Sequence, residues 1–93
     1  MTKANSKHAL KIDEIRENHN TSGYCCDFYI NDKKFYADVS DVMFCGSECM
    51  IFEYDKDNKI DWSGVYTDRD ADVSEESLLK CINEFAGQYG DKE

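Results

Sequence analysis

The clearest hydrophobic alternation in the chain runs from Tyr24 to Ile30. Tyr24, Cys26, Phe28 and Ile30 point one way, with Cys25, Asp27 and Tyr29 opposite, the period-two signature of a half-buried strand. Asn31-Asp32-Lys33-Lys34 is a polar turn, and Phe35, Ala37 and Val39 form the inward face of a returning strand with Tyr36 and Asp38 outward. So short a separation predicts a hairpin. Val42-Met43-Phe44-Cys45 is apolar and is broken by Gly46-Ser47. Cys49 to Tyr54 then reads as the most buried strand, with Met50, Phe52 and Tyr54 sharing one face. Asp55-Lys56-Asp57-Asn58-Lys59 is a turn, and Ile60 to Tyr66 returns as a further strand containing Trp62, with Gly64 marking a bulge or bend. Ahead of all these, His8 to Glu17 supports two readings. Leu10 and Ile12 alternate as in a strand, whereas Ile12 and Ile15 fit one helical face; the strand is the better reading, followed by a loop over 18–23.

The C-terminal segment changes period. Leu78, Ile82, Phe85 and Tyr89 recur at helical spacing and form an apolar stripe that must pack on something. Asp72 is the expected N-cap with Glu75 three residues on, Glu75 and Glu76 sit in the first turn, where the helix dipole favours negative charge, and Gly87 or Gly90 ends the helix. The expected architecture is α+β: an antiparallel β-meander of four to five strands with one C-terminal helix packed on one face.

Ninety-three residues suffice for a single domain, 1–93, whose ends at 1–7 and 90–93 are expected to fray. A chain of this size buries about 60–65% of its extended surface, and its 41% apolar content is enough to fill one modest core. Charge narrows the function further. Eleven Lys and Arg against twenty Asp and Glu leave −9, and residues 51–93 alone carry five basic and twelve acidic groups. Nucleic-acid affinity comes from phosphate neutralisation by cations, so direct nucleic-acid binding is not expected. An acidic surface suits a basic protein partner, although acidity also serves solubility.

Five cysteines, an odd number, and no apolar core segment in Met1–Lys11 point to free thiols in a reducing cytoplasm, with no membrane span. Cys45-x-x-x-Cys49 lacks a second short-spaced pair, and adjacent Cys25 and Cys26 would lie on opposite strand faces, so no zinc site is expected. A nucleophilic thiol needs a base, and only His8 and His19 are available. The Asp-rich stretches beginning at Asp55 and Asp68 lack the Gly at position six and the Glu at position twelve of a calcium loop. No cofactor, metal or catalytic residue is expected, and the chain does not read as an enzyme.

What remains is an acidic, aromatic surface. Tyr29, Tyr36, Tyr54, Trp62 and Tyr66 are interleaved with Asp27, Asp38, Glu53, Asp55, Asp57, Asp61, Asp68 and Asp70. Aromatics supply contact area and carboxylates steer a basic partner. From these, Glu53, Asp55, Asp57, Asp61, Trp62, Tyr66, Asp68 and Asp70 are the expected partner-binding set.

Residues 48–86 hold an apolar strand, an Asp-rich turn, Asp61-Trp62, an aromatic strand and an acid-capped helix. This order resembles the small acidic bacterial toxin-immunity proteins of the contact-dependent and polymorphic toxin type. The resemblance implies one-to-one neutralisation of a cognate toxin domain, often a nuclease, by masking its active site or a basic surface. Phage-encoded inhibitors of CRISPR nucleases, which mimic nucleic-acid charge, are similar in size and acidity, and a small zinc- or thiol-dependent enzyme is the reading from another class. Reversing Asp55, Asp57 and Asp61 to Lys is expected to leave the fold intact, since exposed substitutions usually shift stability by within about 0.5 kcal/mol. Association with the partner should slow and become less salt-sensitive, as stopped-flow mixing at two ionic strengths would show.

Overall fold

A computed structural model describes residues 9–18, 23–42 and 46–91 of the chain. Among them are six strands and one helix: β1 Leu10–Ile12, β2 Arg16–Asn18, β3 Gly23–Ile30, β4 Lys33–Val42, β5 Gly46–Tyr54, β6 Ile60–Asp68 and α1 Glu75–Asp91. The strands form one antiparallel sheet in the order β1-β3-β4-β5-β6, with β2 also pairing to β3. The α+β meander with a helix across one face is therefore the observed architecture.

The N-terminal segment is strand, and its geometry explains why its pattern was ambiguous. β1 pairs Ile12 with Phe28, whereas β2 pairs Arg16 with Cys25, so one extra residue is accommodated between the two pieces. That insertion turns Ile15 back onto the core with Leu10 and Ile12. A bulged strand thus imitates a three-residue helical step.

β3 and β4 form the expected hairpin. Its turn is shorter than the four-residue one expected: Ile30 pairs with Lys33, and only Asn31 and Asp32 lie between. Asn31 takes φ 56°, a left-handed conformation that asparagine tolerates better than most residues. Cys26, Phe28, Ile30, Phe35, Ala37 and Val39 are buried on the helix side. Gly46 and Ser47 do not break the chain; they open β5, where Gly46 pairs with Val42. The apolar residues Met43, Phe44 and Cys45 lie outside the described residues, as do His8, His19, the loop at 19–22 and the termini at 1–8 and 92–93.

Pairing and burial assign the faces of the last two strands. On β5 the residues that join the core are Cys49 and Ile51, while Met50, Phe52 and Tyr54 share the opposite face. Both phases of this strand are apolar, so alternation alone could not tell which one the helix would cover. In β6 the irregularity expected at Gly64 is a bulge. Ile51 pairs with Tyr66 but Glu53 pairs with Asp61, leaving residues 62–65 opposite Phe52 alone. Gly64, at φ 79°, absorbs this wide bulge.

The helix is capped two residues later than expected. Ser74, not Asp72, is the N-cap: its Oγ accepts from the Ser77 amide at 3.1 Å and its carbonyl accepts from the Leu78 amide at 3.1 Å. Neither Gly87 nor Gly90 ends the helix, which runs on to Asp91. Leu78, Cys81, Ile82 and Phe85 are buried against the sheet and Tyr89 packs at the edge of the same stripe. Phe35 anchors it, stacked on Phe28 at 5.2 Å and meeting Phe85 edge-to-face at 5.2 Å.

The two glycines Gly23 and Gly87 should respond oppositely to alanine. A Cβ on Gly23 would meet the Val39 carbonyl oxygen, forcing β3 and β4 apart, whereas one on Gly87 meets nothing within 4 Å. Gly23→Ala should cost about 3 kcal/mol, and Gly87→Ala should stabilise the helix by about 0.5–1 kcal/mol. Urea midpoints of the two variants check both signs.

Candidate functional site

The helix covers one face of the sheet, and the other face carries the aromatic side chains that the core does not use. Strand pairing places Cys25, Asp27 and Tyr29 of β3 beside Asp38, Tyr36 and Lys34 of β4. These in turn adjoin Met50 and Phe52 of β5, with Asp38 opposite Met50 and Tyr36 opposite Phe52. Cys25 and Phe52 are both 7% exposed, yet neither belongs to the core cluster beneath the helix. They lie under a second, smaller cluster on the uncovered face.

That second cluster is aromatic. Phe52 meets Trp62 at 5.1 Å and 67°, Tyr36 meets Trp62 at 6.1 Å and 79°, and Tyr36 lies 6.1 Å from Phe52. Trp62 caps the group and is 67% exposed, the most exposed large apolar side chain among the described residues. The bulge is what brings it there. Simple alternation would put Trp62 and Tyr66 on one face of β6; the insertion over 62–65 separates them. Tyr66 packs instead on the helix side, 5.7 Å from Phe85.

The expected partner-binding set is accordingly dispersed. Glu53 lies on the helix side and pairs with Lys33 at 3.5 Å. Asp55 and Asp57 sit in the exposed turn at one end of β6, Asp61 begins the bulge, and Asp68 and Asp70 lie at the other end of the strand. Seven residues separate Asp61 from Asp68, about 23 Å of extended strand before the bulge shortens it. Only Trp62, of the eight, belongs to the uncovered face's aromatic cluster.

Several of these acids hold turns. Asp55 Oδ1 accepts from the amides of Asp57 and Lys59 at 2.8 and 3.0 Å, bracing a turn in which Asn58 takes φ 62°. Asp61 Oδ1 accepts from both the amide and the hydroxyl of Ser63 at 3.1 and 2.8 Å, and these bonds hold its carboxyl below the usual carboxylate range. Asp68 Oδ1 accepts from the Asp70 amide at 3.0 Å. Reversal of Asp55 therefore removes a turn acceptor as well as a charge, unlike reversal of the exposed Asp57.

Residues of the uncovered face absent from the expected set are Tyr36, Asp38, Glu48, Met50 and Phe52. Asp38 Oδ2 accepts from Asn18 Nδ2 and, at 3.2 Å, from the Tyr36 hydroxyl. Asp27 accepts from the Tyr54 hydroxyl at 2.6 Å, and Lys34 Nζ rests 4.4 Å from the Tyr54 ring centre. Asp38, Ser40, Glu48, Met50, Phe52 and Trp62 line a recess of about 90 Å³. On the helix side, Glu53, Val65, Tyr66, Phe85, Gln88 and Tyr89 line another of about 210 Å³. Pairing could have flagged the first group: Tyr36, Phe52 and Trp62 are all bulky residues in the phase opposite to Phe35 and Ile51.

The Cys26 and Cys49 thiols are poorly suited to nucleophilic chemistry. Burial, then the neighbouring Asp27 charge, pushes Cys26 up to about 12. The Cys49 thiol is raised by its hydrogen bond with Cys81 and by burial. Cys25, Cys26, Cys49 and Cys81 are all buried and free, with Cys25 and Cys26 on opposite faces as their adjacency requires. No group of three or more His, Cys, Asp or Glu among the described residues is placed to hold a metal ion.

No family model matches the chain, and no match was found among curated proteins or solved structures. No helix among the described residues is long and apolar enough to cross a membrane.

Burial raises the Tyr36 hydroxyl above its ordinary 10.0, helped by its hydrogen bond with Cys25 and by the Asp38 charge. Burial likewise raises Tyr54, helped by its bond to Asp27. A folded value above the unfolded one means that these phenols stabilise the fold fully below the unfolded value. Their contribution is lost as pH rises beyond about 10, where the unfolded chain ionises first. Urea midpoints should fall above that pH in wild type and less steeply in the Tyr36→Phe/Tyr54→Phe double variant. Equal slopes would contradict the assignment.

Proposed function

We propose that this chain is a binding protein that docks a basic protein partner on the uncovered face of its sheet, with Trp62 at the centre of contact. The observation that carries this reading is Trp62, 67% exposed and seated on Phe52 and Tyr36. A rigid aromatic group with acidic neighbours is the kind of anchor that supplies most of the energy of a protein interface. The net charge of −9 favours a partner of opposite sign and fast, salt-sensitive association.

Within that reading, the partner to test first is a toxin domain, and the chain acts as its immunity protein in the reducing cytoplasm. Support comes from the resemblance carried by residues 48–86 and from the free thiols of Cys25, Cys26, Cys49 and Cys81 among the described residues. Charge mimicry of nucleic acid is less well supported, because mimicry calls for a continuous row of carboxylates, and those of residues 53–70 are divided between faces and strand ends. Catalysis has less support still. The two recesses lined by described residues, of about 90 and 210 Å³, fall below the roughly 300–1,000 Å³ of substrate-sized pockets, and the Cys26 and Cys49 thiols are held protonated.

Affinity capture from the native host tests the proposal, using wild type, Trp62→Ser and, as a control on the helix's outer side, Leu79→Ser. Wild type and Leu79→Ser should retain one basic protein in one-to-one ratio by native mass spectrometry, and Trp62→Ser should lose it. Retention by Trp62→Ser, or capture of an acidic protein, would refute the docking face.

A further inference from the structure

Resting on that reading, we infer that the recess beside Trp62 is a receptor for a single arginine side chain of the partner. Met50, Phe52 and Trp62 supply its apolar lining, and Asp38 and Glu48 add two carboxylates. An apolar, aromatic wall beside carboxylates matches a guanidinium, which stacks on an indole face while its N–H groups reach acceptors in the ring plane. A compact ammonium lacks that planar fit. The volume of about 90 Å³ suits one side-chain head group, well short of the roughly 300 Å³ at which small-molecule pockets begin.

Charge sets this recess apart from the one on the helix side. There the lining carboxylate, Glu53, is already paired with Lys33. Around Trp62 no described cation lies within ion-pair distance of Asp38 or Glu48, the Lys33–Glu53 pair being the one such contact among the described residues. Lys34, on the same face as Asp38, rests on the Tyr54 ring, four residues and about 13 Å along β4. Asp38 is also held in place, its Oδ2 accepting from Tyr36 and Asn18. A fixed carboxylate, a second one across the strand pair and an indole between solvent and Phe52 make a cation site with its counter-charges already in position.

The chain contains one tryptophan, so the indole N–H resonance of Trp62 reports on this recess alone. N-acetyl-arginine methylamide should shift that resonance saturably, and the matched lysine and norleucine amides should do so weakly or not at all. Glu48→Gln should weaken the arginine response about fivefold, the loss expected for a partly exposed ion pair. Added salt should weaken it in wild type, which keeps the test decisive if the variant folds poorly. An equal response to the norleucine amide, or an arginine response insensitive to salt, overturns the cation site; an equal response to the lysine amide overturns its assignment to arginine. A failure here is distinguishable from failure of the docking face itself, because a captured partner that Trp62→Ser releases would leave the face standing and remove the arginine.

Discussion

Everything in this fold follows from the packing of one amphipathic helix on one face of a sheet. Leu78, Cys81, Ile82 and Phe85 seal Phe28, Phe35, Val39 and Ile51 from water, and each large apolar side chain so buried contributes about 1.5–3 kcal/mol. A single helix can cover one face only. The other face must then remain polar, carry its own small cluster, or be covered by something else. Here it carries Tyr36, Phe52 and Trp62, of which Phe52 is buried, with buried Cys25 on the same face. A second cluster crowned by an exposed tryptophan is stable alone but leaves apolar area uncovered, which is the physical ground for a docking face.

The bulge in β6 links that packing to the site. Without the insertion over 62–65, Trp62 and Tyr66 would compete for one side of the strand. With it, Tyr66 contributes to the helix-side packing through Phe85, and Trp62 is released to the opposite face. Gly64 permits this at φ 79°, and its nearest neighbours are Met50 and Phe52, so the bulge lies directly over the aromatic cluster. The same irregularity also interrupts an edge strand, a common protection against unwanted strand pairing.

The central hairpin is legible from periodicity because each of its strands has one unmistakable phase: Cys26, Phe28 and Ile30 in β3, and Phe35, Ala37 and Val39 in β4. Two kinds of feature were not readable. Where both phases are apolar, as in Cys49–Tyr54, the covered face is decided by the helix, which belongs to a distant part of the chain. Where residues are inserted, one before Ile15 and three after Asp61, alternation silently changes sign, so a helical step is imitated in one place and residues of one apparent phase are divided between faces in the other. The acids read as one patch were grouped by sequence proximity, yet Asp55, Asp61 and Asp68 each accept a local backbone N–H. Short polar side chains that close turns have a structural role that sequence proximity does not reveal.

The most direct measurement of the docking face is acrylamide quenching of the Trp62 fluorescence, in the free chain and in complex with a purified partner. The lone indole should be strongly quenched when free, as its exposure requires, and shielded in the complex by several-fold. Quenching that is the same in both states would place the contact elsewhere and contradict the account.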